Sequence, residues 1–153
     1  MATNEKSNKQ VYGYVEKVTL VEKKCVLSAK LDTGAKTASL NAENIRETEE
    51  DGKIFLYFTV SSAQGLIDFK AEYLGKVRIK ARAGEFARKK HHFLRRPVVM
   101  IRVQLGNEER DIRVNLTNRK RFNYAFLLGR DAINAFDGLV DPAHTFLLPS
   151  HKT

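Results

Sequence analysis

The chain has 153 residues, 42% hydrophobic and 29% charged, enough for one domain with a true core and too few for two of ordinary size. No apolar run approaches the roughly 18 residues of a helical membrane span, so an integral membrane protein is not expected. The net charge of +9 favours an anionic partner, and the single cysteine, Cys25, excludes an intramolecular disulfide.

Met1 to Gln10 is polar, lacks an apolar signal core and reads as a disordered tail (1–10) before a single domain over 11–153. The expected compartment is the cytoplasm, or the periplasm if a signal peptide has been removed. Val11 to Val21 reads as a strand pair or one long bent strand, and Val26 to Leu31 as the next strand. Cys25 lies at the head of that apolar run and reads as a small core residue. Thr37 to Ile45 reads as a short strand or helical turn, with Ala38, Leu40 and Ala42 on one side.

Asp51-Gly52 is a hairpin signal between Ile45–Glu50 and the β-rich run Lys53–Val60. Ser61 to Gly65 reads as a loop. Leu66 to Leu74 is ambiguous, with Gly75 as its end, and Val77 to Ala81 alternates as a half-exposed strand. Lys53 to Gly75 is a candidate flap region. Gly84 to Arg96 has the weakest pattern. Val99 to Leu105 and Ile112 to Leu116 form the clearest hairpin, turning at Gly106–Glu109. After a polar connection, Asn118 to Tyr124, come a short buried strand at Phe126–Leu128 and a helical turn or two over Asp131–Phe136. Leu139-Val140 is a further apolar piece, and Thr145 to Leu148 is expected as a final strand. Seven to nine short strands with at most one or two short helices indicate an all-β barrel or sandwich.

Charge is segregated along the chain. Lys76 to Arg102 holds ten Lys/Arg against one acid, Glu85, whereas Glu43 to Asp51 holds five acids against Arg46. Such a surface has a polarised field.

The stretch that carries chemistry is Leu31-Asp32-Thr33-Gly34-Ala35. A carboxylate on the turn that ends a buried strand is an unusual place for a charge, and Gly34 allows close approach by backbone or ligand. Far downstream stands Phe126-Leu127-Leu128-Gly129-Arg130. The Asp-Thr-Gly-Ala turn, the Leu-Leu-Gly-Arg segment and the all-β surroundings together resemble the retropepsin-like aspartic proteases. With Arg96-Pro97-Val98-Val99 and Leu116-Thr117-Asn118-Arg119, the match resembles the bacterial retropepsin-like family often labelled "ATP-dependent zinc protease". That family is associated with glutamate-ligating ATP-grasp enzymes. The resemblance spans about Gly13 to Leu148.

The resemblance implies a closed acid-protease barrel with one short C-terminal helix. It also implies a homodimer in which Asp32 of each subunit activates water. Thr33 would hydrogen-bond across the dimer, and Thr33, Gly34, Ala35 and Lys36 would meet substrate. Gly129 and Arg130 would have structural or dimer roles. No cofactor and no metal is implied, since the chain has neither an HExxH pair nor a Gly-rich Lys-Ser/Thr loop. Alanine at 35 cannot donate a hydrogen bond to the carboxylate as a serine could, so activity is expected nearer neutral pH. Viral retropepsins carry an acid where Lys36 stands, and that acid pairs with the Gly-Arg arginine, so Arg130 is expected to lack this partner. Lys36 and the basic run favour an acidic peptide, poly-glutamate in particular. The alternative is a non-catalytic basic β-barrel that binds an acidic protein or RNA. Nucleic acid is the weaker partner there because no RNA-binding motif is present.

Overall fold

The structure, a computed structural model, describes residues 9–80, 93–118 and 123–149. The expected tail lies outside the described residues as far as position 8, and Gln10 already opens a strand. Most of the basic stretch Gly84–Arg96 and part of the connection Asn118–Tyr124 also lie outside them.

The strands are β1 (Gln10–Gly13), β2 (Val15–Leu20), β3 (Cys25–Leu31), β4 (Ala38–Asn41), β5 (Glu43–Glu50), β6 (Lys53–Ser62) and β7 (Gly65–Lys80). After them come β8 (Phe93–Leu105), β9 (Glu108–Thr117), β10 (Phe126–Leu128), helix α1 (Arg130–Ala135) and β11 (Gly138–Asp141). The fold is all-β with a closed barrel and one short helix, as the sequence implies. The ring runs β2-β3-β10-β4-β9-β8 and closes where Thr19 and Leu20 of β2 pair with Gln104 and Val103 of β8. β7, β6 and β5 continue the sheet outward from β8.

Alternation explains the barrel interior. In β3, Cys25, Leu27, Ala29 and Leu31 are buried while the residues between them are not. In β8 and β9, Val99 pairs with Val114 and Ile101 with Ile112, and these four are buried together with Val103, Leu105 and Leu116. Each such side chain contributes about 1.5–3 kcal/mol when fully removed from water. Asp51 and Gly52, at φ +51° and +79°, form the turn between β5 and β6, the two left-handed positions that an Asp-Gly hairpin supplies.

Four expectations are corrected. β1 and β2 are not a pair: β1 runs parallel to β11, and β2 antiparallel to β3. Between them the chain passes so close to the 144–146 segment that a Cβ on Gly13 would stand 2.6 Å from the His144 carbonyl oxygen. Ser61–Gly65 is not a loop, because β6 and β7 pair through Ser62 and Gly65 around the two-residue turn Ala63-Gln64. Gly75 does not end a segment. It sits at a register shift in the continuous β7, at φ +110°, a conformation that glycine tolerates at a bulge. Thr145–Leu148 forms no strand, because its amides mostly meet a side chain instead of a neighbouring strand.

That side chain is Glu16, buried in β2 with 1% exposure. Its carboxylate accepts from the amides of Gly13 (2.7 Å), Leu147 (2.9 Å) and Leu148 (3.4 Å), while Phe146 N–H donates to the Val15 carbonyl. One buried acid thus fastens the C-terminal segment across β1 and β2. Glu16→Ala leaves these amides without their acceptor and is expected to cost about 2–3 kcal/mol, with Glu16→Gln losing less. Urea unfolding midpoints check this, and an unchanged midpoint for Glu16→Ala would contradict it.

Candidate active site

β10 is only three residues long, yet it decides the geometry around Asp32. It inserts between β3 and β4, parallel to the first and antiparallel to the second. Leu128 therefore stands beside Leu31, and its carbonyl accepts the Asp32 N–H at 2.8 Å. The loop 32–37 leaves the sheet at this point and rejoins it at Ala38.

The loop is tied to itself and to the segment that follows β10. The Asp32 carboxylate accepts the Gly34 N–H at 2.9 Å, and the Asp32 carbonyl accepts the Ala35 N–H at 3.2 Å. Arg130 N–H donates to the Ala35 carbonyl at 2.8 Å, and Asp131 N–H to the Lys36 carbonyl at 3.0 Å. These two donors lie in the first turn of α1, where amides have no partner within the helix. Arg130 Nη1 reaches the Thr33 carbonyl at 2.9 Å. The arginine has no acid beside the motif, as Lys36 foreshadows, and holds the loop through its backbone.

Gly129 is the floor of this arrangement. A Cβ there would stand 2.4 Å from the Thr37 carbonyl oxygen and 2.8 Å from that of Ala35. At Gly34 a Cβ would come within 3.1 Å of Asp32 Oδ1, so this glycine leaves the carboxylate its room. The structure gathers the expected residues at one place. Asp32 is half-buried, Thr33, Gly34 and Lys36 are exposed, Ala35 is half-buried, and Gly129 is buried beneath them with Arg130 exposed alongside.

A buried polar network fixes the far end of the loop. Asn115, 1% exposed, donates through Nδ2 to the Ala38 carbonyl at 2.7 Å and to Thr37 Oγ1 at 3.2 Å. Its Oδ1 accepts from Ser39 Oγ at 2.8 Å and from Arg96 Nη1 at 3.3 Å. Sequence reading missed this network. Asn115 alternates with Val114 and Leu116 and so looks like an outward-facing residue, and a single polar residue in an amphipathic strand is no signal by itself.

Two other sequence readings are settled by position. The β6–β7 turn is no cover for Asp32: Gln64 accepts the Val26 N–H at 3.3 Å, near the start of β3. Asp32 follows the other end of that strand, about 20 Å further along the chain. Cys25 is fully buried, and burial pushes its thiol above the ordinary value, as suits an inert core residue rather than a nucleophile.

A family model described as RimB-like, retropepsin-like aspartic endopeptidase RimB, matches residues 11–151. The chain belongs to this family. Within the RimB-like family's fold, the crystal structure of Lpg0085 from Legionella pneumophila, a protein of unknown function, is 51% identical with a TM-score of 0.78. The similarity covers 90% of this chain and 97% of that one. Probable alpha-L-glutamate ligases of Shewanella halifaxensis and Shewanella pealeana are each 30% identical over 126 residues, covering 80% of this chain and 26% of theirs. The chain thus spans about a quarter of the length of those relatives.

The loop's rigidity can be probed from beneath. Gly129→Ala forces the loop upward and is expected to cost at least about 1–3 kcal/mol. Asn115→Ala removes the acceptor of the buried Ser39 hydroxyl and the donor to the Ala38 carbonyl, and costs a similar amount. Thermal unfolding measures both, and wild-type stability for either substitution would show that the frame does not constrain the loop.

Proposed function

We propose that the protein is one half of a two-fold aspartic peptidase. The observation that carries this reading is the held Asp32 loop. Its carboxylate stands half-exposed on a turn whose backbone is fixed by Leu128, Arg130 and Asp131.

The chemistry needs two such carboxylates. In a symmetric dimer, Asp32 and its counterpart across the two-fold axis would share one proton, because like charges at close range cannot both ionise. The ionised member takes a proton from a water whose oxygen attacks the scissile carbonyl carbon. The protonated member gives its proton to the carbonyl oxygen. Collapse of the tetrahedral intermediate breaks the C–N bond, and a proton passes to the departing nitrogen. Asp32, held at both ends of its turn, is suited to this because it needs little reorganisation when charge moves.

The dimer reading has support in the fold. β1 and β11 form a two-stranded sheet separate from the main one, and a two-stranded sheet is marginal without further packing. Val11 and Leu139 are register partners in it and are 42% and 37% exposed, with Phe146 and Leu147 also exposed. An exposed apolar pair such as Val11 and Leu139 on a two-stranded sheet suits association with a second copy.

Substrate preference follows from charge. Lys36 is exposed beside the Asp32 turn, and the chain carries a net +9. The ligases that share a segment with this chain are named for glutamate. An acidic peptide, poly-glutamate in particular, fits both.

Wild-type protein is expected to cleave oligo-glutamate, and Asp32→Asn to lose at least about a hundredfold in kcat/KM, the lower range for removing a positioned acid–base group. The test is product formation by mass spectrometry with both proteins confirmed folded. Cleavage that survives the substitution would refute the reading. Val11→Asp with Leu139→Asp is expected to give a folded monomer without activity, as measured by sedimentation and turnover. A fully active monomer would refute the two-fold site.

A further inference from the structure

A cleft of about 530 Å³ opens beside the Asp32 loop, a size in the usual range of ligand sites. Lys36 and Thr37 of the loop form one side, the bulged part of β7 another, and Val98 of β8 with β9 and α1 the rest. Three cations line it: Lys36, Lys76 and Arg113. All three are exposed, and among the described residues none makes an ion pair. Elsewhere on the surface, several cations are paired. Lys70 meets Glu50, Arg102 meets Glu109 and Asp111, and Arg110 meets Glu108.

Two carboxylates share the lining, Asp111 and Asp131. The first is engaged by Arg102 at 3.3 Å, so the cleft retains a surplus of positive charge. Its floor is rigid. Asn115 lines it with both amide atoms committed to Thr37, Ala38, Ser39 and the buried Arg96. Unpaired cations over a fixed polar floor suit an anionic group that arrives with a ligand.

We propose that Lys36, Lys76 and Arg113 form a specificity subsite for the carboxylate of an acidic substrate side chain on one flank of the scissile bond. This rests on the peptidase reading for the position of that bond. Lys36 follows Asp32 by four residues, which bounds their backbone separation at about 14 Å. An extended peptide advances about 3.3 Å per residue. The recognised acid therefore lies within about four residues of the bond that is cut.

Binding separates this inference from the peptidase reading. The protein used is Asp32→Asn, which is expected not to turn over, and the probe is a fluorescent oligo-glutamate followed by anisotropy. Removing the three charges (Lys36→Met, Lys76→Met, Arg113→Met) is expected to weaken binding about tenfold and to flatten its salt dependence. Lys36→Arg with Arg113→Lys is expected to restore affinity to within about twofold, which controls for folding. In the catalytically intact background, the charge-removed protein should show a raised KM with kcat little changed.

Unchanged affinity on charge removal would overturn the subsite, whatever Asp32 does. Tighter binding of a single-stranded RNA, lost on the same substitutions, would overturn its assignment to a peptide. Oligo-glutamate binding that depends on the three cations, in a protein whose wild type cleaves nothing, would uphold the subsite and refute the peptidase.

Discussion

The interaction on which the site depends is the insertion of Phe126–Leu128 between β3 and β4. It brings the Leu128 carbonyl to the Asp32 amide, and it places Gly129, Arg130 and Asp131 directly beneath the loop. The first-turn amides of α1, which lack helical partners, find theirs in the loop carbonyls. The helix start and the loop thus satisfy each other, and neither would be stable in this form alone. Gly129 is where that mutual fit leaves no room for a side chain.

Much of this was legible from residues. The alternation of β3, β8 and β9 marked strands because every second residue over Cys25–Leu31, Val99–Leu105 and Ile112–Leu116 is apolar and buried, and the Asp-Gly turn marked its hairpin because few other pairs accept two left-handed residues. The parts that were not legible are long-range. Glu16 shares the parity of the buried Val18 and Leu20, an apolar face that offers a charge no visible partner, and the returning 147–148 amides supply one. Asn115 is buried for a similar reason, by the loop and β4 residues it clamps. Gly75 reads as a stop signal, but a strand as long as β7 continues through it with a bulge, paired along most of its length with β6 and β8.

The site residues Asp32, Thr33, Gly34, Ala35, Lys36, Gly129 and Arg130 were named from two short motifs nearly a hundred positions apart, and the fold brings them together. What the motifs could not convey is how Arg130 acts. Lacking an acid beside the motif, it bonds to the Thr33 carbonyl and so braces the turn directly. Lys36 adds an exposed cation to the cleft that also holds Lys76 and Arg113.

The central claim is that two Asp32 carboxylates from two subunits make one site. It is tested most directly by mixing wild-type protein with Asp32→Asn in varying ratio, allowing subunits to exchange, and measuring oligo-glutamate cleavage. If both carboxylates are needed, activity falls with the square of the wild-type fraction, leaving roughly a quarter in an equal mixture. A linear fall, with each wild-type subunit keeping its full activity, would contradict the account.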